Sequence, residues 1–363
     1  MTPQNAPFHR RQTRTVRVGG LALGSGHRIA VQSMTTTATT DVAATVAQVR
    51  ALARAGADIV RLAVPTMAAA KALRRVKDQV DVPLVADIHF NAHLALAAIK
   101  AGADKIRLNP GNIPLKDDLA RVVDAAAERG IPIRLGVNSG SVKPRNQKGS
   151  RHTPQQTADR MVEALSEHLE YVESRGFRDI VLSAKASDVA TTVLAYRRIA
   201  RLCDCPLHLG VTAAGPREAA VLKSALGLGA LLADGLGDTL RVSITGDPVT
   251  EVEIGRRLLE ALGLEPLRGV EIISCPTCGR CQVDLTALAE KLYRATRAIK
   301  GALRVAVMGC VVNGPGEARE ADLGVAAGRG FGVLFRHGQP GEKVPESELF
   351  KRLMAEIRRL TGA

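Results

Sequence analysis

Ala55-Gly56-Ala57-Asp58-Ile59-Val60-Arg61-Leu62 and Ala101-Gly102-Ala103-Asp104-Lys105-Ile106-Arg107-Leu108 are two versions of one unit. Each reads as the end of an alanine-rich helix, a glycine suited to the left-handed cap, and a short apolar strand. A helix end, turn and strand that recur at this spacing point to serial βα units. Working outward, the same rhythm begins with Arg28-Ile29-Ala30-Val31-Gln32-Ser33-Met34. It continues with Pro83-Leu84-Val85-Ala86-Asp87-Ile88-His89 and Pro132-Ile133-Arg134-Leu135-Gly136-Val137-Asn138. Residues 179–185, 206–211 and 239–244 complete it, with amphipathic helices between all of these strands. Apolar strands that alternate with helices make a parallel sheet covered on its faces. Eight units before residue 265 favour a closed (β/α)8 TIM barrel over an open sheet. An open dinucleotide-binding sheet needs a glycine-rich turn after its first strand, and Ser33-Met34-Thr35-Thr36-Thr37 is not one. Ahead of the series, residues 13–23 read as a hairpin turning at Gly19-Gly20.

The rhythm changes after Leu264. Glu271-Ile272-Ile273-Ser274 is a strand that runs into Cys275-Pro276-Thr277-Cys278-Gly279-Arg280. A helix is expected over about 283–299. Leu303-Arg304-Val305-Ala306-Val307-Met308 is a strand that runs into Gly309-Cys310. Two further strands are expected within 322–335 and a closing helix over 345–360. The chain therefore divides into a barrel over 1–266 and a small α+β domain over 267–363, parted at Pro266-Leu267-Arg268-Gly269.

Composition narrows the function. The 363 residues are 46% hydrophobic with a mean hydropathy of +0.03, as for a soluble globular chain. No apolar run reaches the roughly 18–20 residues that span a bilayer. The Arg-rich start lacks an apolar signal region, and six cysteines do not make a disulfide scaffold, so a reduced, cytoplasmic setting is expected. The net charge is +14. Aromatic residues make up only 2%, too few for the stacking platforms of a single-strand nucleic-acid binder. Anionic small molecules or an acidic protein partner account for the charge as well, and most of it lies on a solvated surface.

Barrel chemistry sits at the C-terminal ends of the strands. Positions at or near those ends are Arg61, Asp87, His89, Arg107, Asn109, Arg134, Asn138, Lys185, Thr212, Arg241 and Ser243. Charged residues inside apolar strands are costly unless they are paired or line a site. Arginine forks and a lysine point charge that converge on one cavity suit a multiply charged anion such as a phosphate. The polar, basic stretch from Asn138 to Pro154 reads as a mobile flap over the barrel mouth.

In the second domain the thiols dominate. Cys275-x-x-Cys278 admits a zinc ion, a redox disulfide or an iron–sulfur cluster. A closed zinc site usually takes two paired knuckles, whereas the second stretch offers Cys310 and no nearby histidine. Three thiolates and one weaker oxygen ligand suit a cubane with one reactive iron. Glu317 follows Cys310 across Gly314-Pro315-Gly316, and Cys281 is a competing fourth thiolate. Cys203 and Cys205 read as packed thiols.

With both halves read, the chain resembles the 4-hydroxy-3-methylbut-2-enyl diphosphate synthase family, iron–sulfur enzymes of the methylerythritol phosphate route to isoprenoids. The likeness runs from Gln32-Ser33-Met34-Thr35 to Lys343-Val344-Pro345. It is carried by Val85-Ala86-Asp87-Ile88-His89-Phe90, Arg107-Leu108-Asn109-Pro110-Gly111-Asn112, Gly237-Asp238-Thr239-Leu240-Arg241-Val242-Ser243, Cys275-Pro276-Thr277-Cys278 and Gly309-Cys310-Val311-Val312-Asn313-Gly314-Pro315-Gly316-Glu317. The resemblance implies a TIM barrel followed by a [4Fe-4S] domain like that of sulfite and nitrite reductases. It implies a cluster held by Cys275, Cys278, Cys310 and Glu317. Catalytic roles fall to Glu317, His89 and Asp87, and substrate contacts to Arg61, Arg107, Asn109, Arg134, Asn138, Lys185, Arg241 and Ser243. The implied substrate is 2-C-methyl-D-erythritol 2,4-cyclodiphosphate, reduced by flavodoxin or ferredoxin in a homodimer whose site is shared between chains.

Two acids of the family pattern are absent. Ala213 stands where the family carries Glu in Gly-(Val/Ile)-Thr-Glu-Ala-Gly, and Ala38 stands where it carries Asp. Affinity is expected to survive these losses better than turnover. The competing readings are a non-catalytic anion- or RNA-binding barrel with a structural metal or cluster, and a barrel phosphate enzyme using Lys185 as a Schiff-base lysine.

Overall fold

The structure, a computed structural model, describes residues 7–89, 91–109, 116–142, 152–310, 312 and 314–363. It divides into two compact units, Met1–Glu265 and Pro266–Ala363. Among the described residues, no helix is long and apolar enough to cross a membrane.

The first unit opens with an antiparallel hairpin, β1 (Val16–Val18) and β2 (Leu21–Leu23), in which Val18 pairs with Leu21 and Gly19 takes the left-handed turn at φ 57°. Eight parallel strands follow: β3 (Ala30–Met34), β4 (Ile59–Ala63), β5 (Leu84–Ile88), β6 (Lys105–Leu108), β7 (Ile133–Asn138), β8 (Ile180–Lys185), β9 (His208–Leu209) and β10 (Thr239–Leu240). Each is followed by a helix: α1 (Val42–Arg54), α2 (Met67–Lys77), α3 (Ala92–Lys100), α4 (Lys116–Arg129), α5 (Pro154–Ser174), α6 (Val189–Leu202), α7 (Arg217–Ala233) and α8 (Pro248–Ala261). The strands lie in the order β8-β7-β6-β5-β4-β3-β10-β9. A parallel bridge between Leu182 and Leu207, with the Leu182 N–H donating to the Pro206 carbonyl at 2.9 Å, joins the two ends and closes the barrel.

The repeated unit explains how the barrel is held at its base. Gly56 and Gly102 take φ values of 103° and 92°, which lets the chain leave one helix and enter the next strand. The aspartate two residues on then pins a neighbouring strand. Asp58 accepts the Val31 N–H at 2.8 Å and Asp104 accepts the Leu84 N–H at 2.7 Å. Asp238, which follows Gly237, does the same for Leu207 at 2.8 Å. Helix starts are capped by Asp41, Thr66, Asn91, Asp188 and Asp247, and by a capping box between Thr153 and Gln156.

Side chains alternate along each strand. Outward residues such as Leu62, Ile106, Leu135 and Leu182 join the helices in one extended apolar shell. Inward, the first layer is Ala30, Ile59, Val85 and Val181, sealed from beneath by Val16, Val18 and Leu23 of the hairpin. Above that plug the barrel interior turns polar. The last two strands are shorter than the spans 206–211 and 239–244 read from sequence: only His208–Leu209 and Thr239–Leu240 pair as strand. Beyond Leu240 the Arg241 N–H still donates to the Leu209 carbonyl at 3.0 Å, while the Ile244 N–H goes to the Glu251 carboxylate at 3.2 Å instead of to a neighbouring strand.

The second unit is a five-stranded sheet in the order β11 (Val270–Ser274), β12 (Leu303–Met308), β13 (Leu323–Gly328), β14 (Phe331–Arg336) and β15 (Gln339–Pro345). The first three strands are parallel and the last three form an antiparallel meander. Helices α9 (Leu285–Thr296) and α11 (Leu349–Thr361) share an apolar core with Val305, Val307, Val325 and Leu334. A short helix, α10 (Gly314–Glu320), packs on the other face with Met308, Ala318 and Ala326. Both α10 and β15 go beyond the sequence reading. β15 is polar and nearly all exposed, with prolines that only an edge strand tolerates. In α10 the Gly-Pro-Gly that resembles a turn is the helix's first turn.

Candidate active site

The barrel mouth is organised around Asp87, at the end of β5. Its Oδ1 lies 3.3 Å from Arg107 Nη1, and its Oδ2 lies 3.2 Å from His89 Nε2 and 3.7 Å from Arg61 Nε. Burial alone would raise this carboxyl, but Arg61, His89 and Arg107 outweigh it and hold Asp87 well below the usual carboxylate range. Arg107 on β6 is in register with Asp87 on one side and with Arg134 of β7 on the other. Lys185 ends β8 as the register partner of Asn138.

A second carboxylate comes from outside the strands. Glu251 of α8 accepts both forks of Arg241 at 3.1 Å each, and the Ser33 hydroxyl at 2.9 Å. This acid was not singled out in the sequence, because it lies on a helix that otherwise packs on the outside of the barrel. It engages Arg241, one of the residues expected to contact the substrate.

Asp87 thus pairs with Arg61 and Arg107, and Glu251 with Arg241, while Lys105, Arg134 and Lys185 are buried in the same barrel. Arg134 is 1% exposed and its Nε and Nη1 have no partner among the described residues; the same holds for Arg107 Nε and Lys105 Nζ. Burial pushes Arg61 down to about 10, with Arg241 and Arg107 adding to the effect. Burial and the surrounding cations push Lys105, Arg134, Lys185 and His208 far below their ordinary values. A native interior rarely leaves buried donors unpaired, so this set is built for a partner the protein alone does not supply. Room for it depends on two inward glycines. A Cβ on Gly136 would fall 2.5 Å from Ser183 Oγ and 3.6 Å from Arg107 Nε, and one on Gly210 would fall 2.5 Å from Lys185 Nζ.

The other expected residues are placed less tightly. Asn109 is buried just past β6, its Oδ1 without a partner among the described residues. Asn138 is half-buried at the end of β7, its carbonyl accepting the Ser141 hydroxyl at 2.7 Å. Ser243 is half-buried in the segment after β10. Phe90, Pro110-Gly111-Asn112, Val311, Asn313 and residues 143–151 of the expected flap lie outside the described residues.

In the second unit, β11 and β12 run parallel with Ser274 opposite Val307, so Cys275 and Cys310 emerge at neighbouring C-terminal strand ends. A cavity of about 370 Å³ is lined there by Cys275, Cys278, Arg280, Met308, Cys310 and Glu317, among others. The Gly309 N–H points at Cys275 Sγ at 3.5 Å. The Arg280 backbone and side chain lower the exposed Cys278 thiol, and Arg280 also acts on Cys310. Glu317 reaches the cavity because α10 lies close on the sheet, where a Cβ on Gly324 would fall 2.7 Å from Ala318. Cys281 does not line the cavity. Its thiol turns toward the Val283 carbonyl at 3.3 Å and packs beside Gly309 and Leu285. Among the described residues, no three His, Cys, Asp or Glu side chains converge closely enough to hold a single metal ion. A cubane takes one protein ligand at each iron, so its ligands surround a volume rather than a point.

The chain matches the family model of a GcpE TIM-barrel domain over residues 13–256 and that of a GcpE protein C-terminal domain over residues 271–359. It is 50% identical over 353 residues to a curated protein of Anoxybacillus flavithermus named 4-hydroxy-3-methylbut-2-en-1-yl diphosphate synthase (flavodoxin), covering 97% of this chain and 96% of the relative. A protein of the same name from Geobacter sulfurreducens is 51% identical over 349 residues, covering 96% and 98%. Among solved structures, a dihydropteroate synthase from Stenotrophomonas maltophilia with active site-bound imidazole aligns over 70% of this chain and 100% of that one, at a TM-score of 0.50 and 17% identity; that likeness is one of fold.

Proposed function

The chain belongs to the GcpE family, and on that footing we propose that it reductively opens and dehydrates 2-C-methyl-D-erythritol 2,4-cyclodiphosphate to 4-hydroxy-3-methylbut-2-enyl diphosphate in isoprenoid biosynthesis. Two electrons and two protons enter, and one water leaves. Relatives that are half identical over nearly the full length carry the name of this synthase, which disfavours a non-catalytic anion- or RNA-binding barrel and a Schiff-base enzyme. The observation that carries the reading is the barrel interior, where Arg107 and Arg134 are buried with N–H groups that have no partner among the described residues, and where Asp87 and Glu251 are the acids found against the cations described above.

The diphosphate is gripped by Arg61, Arg107, Arg134 and Lys185, with Asn109, Asn138 and Ser243 completing the mouth and Arg241 held beside it by Glu251. Charge-assisted bonds to phosphate oxygens are the strong kind. Asp87 keeps Arg61 and Arg107 aimed and holds the half-exposed His89, to which this reading assigns the proton for the departing oxygen. Cys275, Cys278, Cys310 and Glu317 line one cavity and would hold a [4Fe-4S] cluster, with Arg280 favouring thiolate at Cys278. When bound, that cluster supplies low-potential electrons and a Lewis-acidic iron. A flavodoxin donor, as the relatives' names state for them, a homodimeric assembly and a reducing cytoplasm belong to the same reading.

Calorimetric titration tests the binding half. The cyclodiphosphate should bind with a strong salt dependence, while the unphosphorylated methylerythritol should not bind. Equal affinity for the two would remove the anion site from the account.

A further inference from the structure

Beneath the mouth lies a tier of polar groups that the reading above leaves unused. Lys105 precedes Arg107 by two residues on β6, so both side chains point into the barrel. Its register partner is Val85, which also partners Arg61 on the far side. Lys105 is completely buried, and its Nζ has no partner among the described residues. His208 on β9 is equally buried; its Nδ1 lies 3.4 Å from Thr239 Oγ1, and its Nε2 has no partner among the described residues. Neither amide atom of Gln32 on β3 has a partner among the described residues. Val85 belongs to an apolar cluster with Ala30, Ile59 and Val181 that packs on Val16, Val18 and Leu23 of the hairpin. Lys105 lies two residues before Arg107, about 6.6 Å lower on the strand, a rise within reach of a lysine side chain.

We propose that Lys105 and His208 form the floor of the anion site, where Lys105 Nζ and His208 Nε2 donate to the innermost phosphate of the bound diphosphate. This rests on the anion-binding reading given above and extends it to residues below the rim. The chemistry follows from the burial. An unpartnered buried amine lowers stability, and a fold keeps one where a ligand completes it. Burial, then Arg134 and Arg61, holds Lys105 far below its ordinary value. A base depressed in this way binds fewer protons folded than unfolded, so at neutral pH it subtracts from stability. His208 is depressed by burial and then by Lys185, Arg134, Lys105 and Arg61. An arriving phosphate reverses the sign of the local field and gives both groups an acceptor. A merely structural lysine would show the opposite pattern, with its removal destabilising the ligand-free chain.

The test uses the full chain, anaerobically loaded with its cluster, as parent, Lys105→Met, His208→Asn and Arg134→Ala. Thermal unfolding without ligand and calorimetric titration with the cyclodiphosphate are read for each. Lys105→Met should unfold at the same or a higher temperature than the parent and bind the cyclodiphosphate at least about tenfold more weakly, the loss of one charge-assisted hydrogen bond. His208→Asn should weaken binding in the same direction. If Lys105→Met and His208→Asn bind as tightly as the parent while Arg134→Ala does not, the floor is refuted and the rim stands. A Lys105→Met chain that melts below the parent refutes the floor as well. Failure of the parent to bind refutes both the rim and the floor.

Discussion

Arg107 and Arg134 are register partners across β6 and β7, and both side chains are buried. Two guanidiniums side by side out of water repel each other. Asp87 reaches Arg107 at 3.3 Å, while two of Arg134's three nitrogens have no partner among the described residues. The ligand-free barrel therefore carries an electrostatic strain that a multiply charged anion relieves, and the relief is spent on affinity.

Replacing Arg107, Arg134 or Lys185 with Ala should weaken cyclodiphosphate binding by about 1.5–3 kcal/mol each, roughly ten- to a hundredfold. Isothermal titration reads this directly. Unchanged affinity in all three would place the diphosphate elsewhere.

Asp87 sets a pH dependence. Its folded value lies below the ordinary one, so its contribution is complete above about pH 4 and is lost as pH falls toward the folded value. Asp87→Asn should destabilise the barrel by about 3 kcal/mol at pH 7, because it strands Arg61 and Arg107. The gap to the parent should close progressively below about pH 4 in denaturant titrations. A gap that stays constant down to about pH 2 would show that Asp87 is not the titrating partner.

The thiols divide three to one by packing. Cys275, Cys278 and Cys310 line the cavity, whereas Cys281 turns toward the Val283 carbonyl. Serine at any of the first three should abolish bound iron and sulfide after anaerobic reconstitution, and Cys281→Ser should retain both. Complete loss of iron in Cys281→Ser would make that residue a ligand and displace Glu317.

Ala213 sits just past β9 in the left-handed region, at φ 48°, and is exposed. Ala213→Glu keeps a Cβ in the same backbone state, so stability should change little. The change restores the acid of the family pattern. Turnover should rise by up to about a hundredfold, as for an added general acid, with affinity unchanged. Equal turnover under saturating reductant would remove any catalytic role from that position.

Much of the barrel was legible because Ala-Gly-Ala-Asp is a local signal: the glycine turns the chain and the aspartate ties it to a neighbouring strand. The rim cations were legible because barrel strand ends are privileged positions. Lys105 and His208 were not, since strands buried on both faces give no period-two pattern to separate inward from outward. Glu251 was hidden on an outer helix. The roles of Gly136 and Gly210 emerged only from what a Cβ would strike. Spacing could not separate Cys281 from its neighbours, and the turn-like Gly314-Pro315-Gly316 concealed the helix that carries Glu317 to the cavity.

The most direct test is anaerobic turnover by protein verified to carry about four irons per chain. The cyclodiphosphate and photoreduced flavodoxin are supplied, and the product is followed by phosphorus NMR. Stoichiometric 4-hydroxy-3-methylbut-2-enyl diphosphate, abolished by Cys310→Ser and strongly reduced by Arg134→Ala, is the predicted result. Fully loaded, reduced protein that binds the cyclodiphosphate and returns it unchanged would contradict the account.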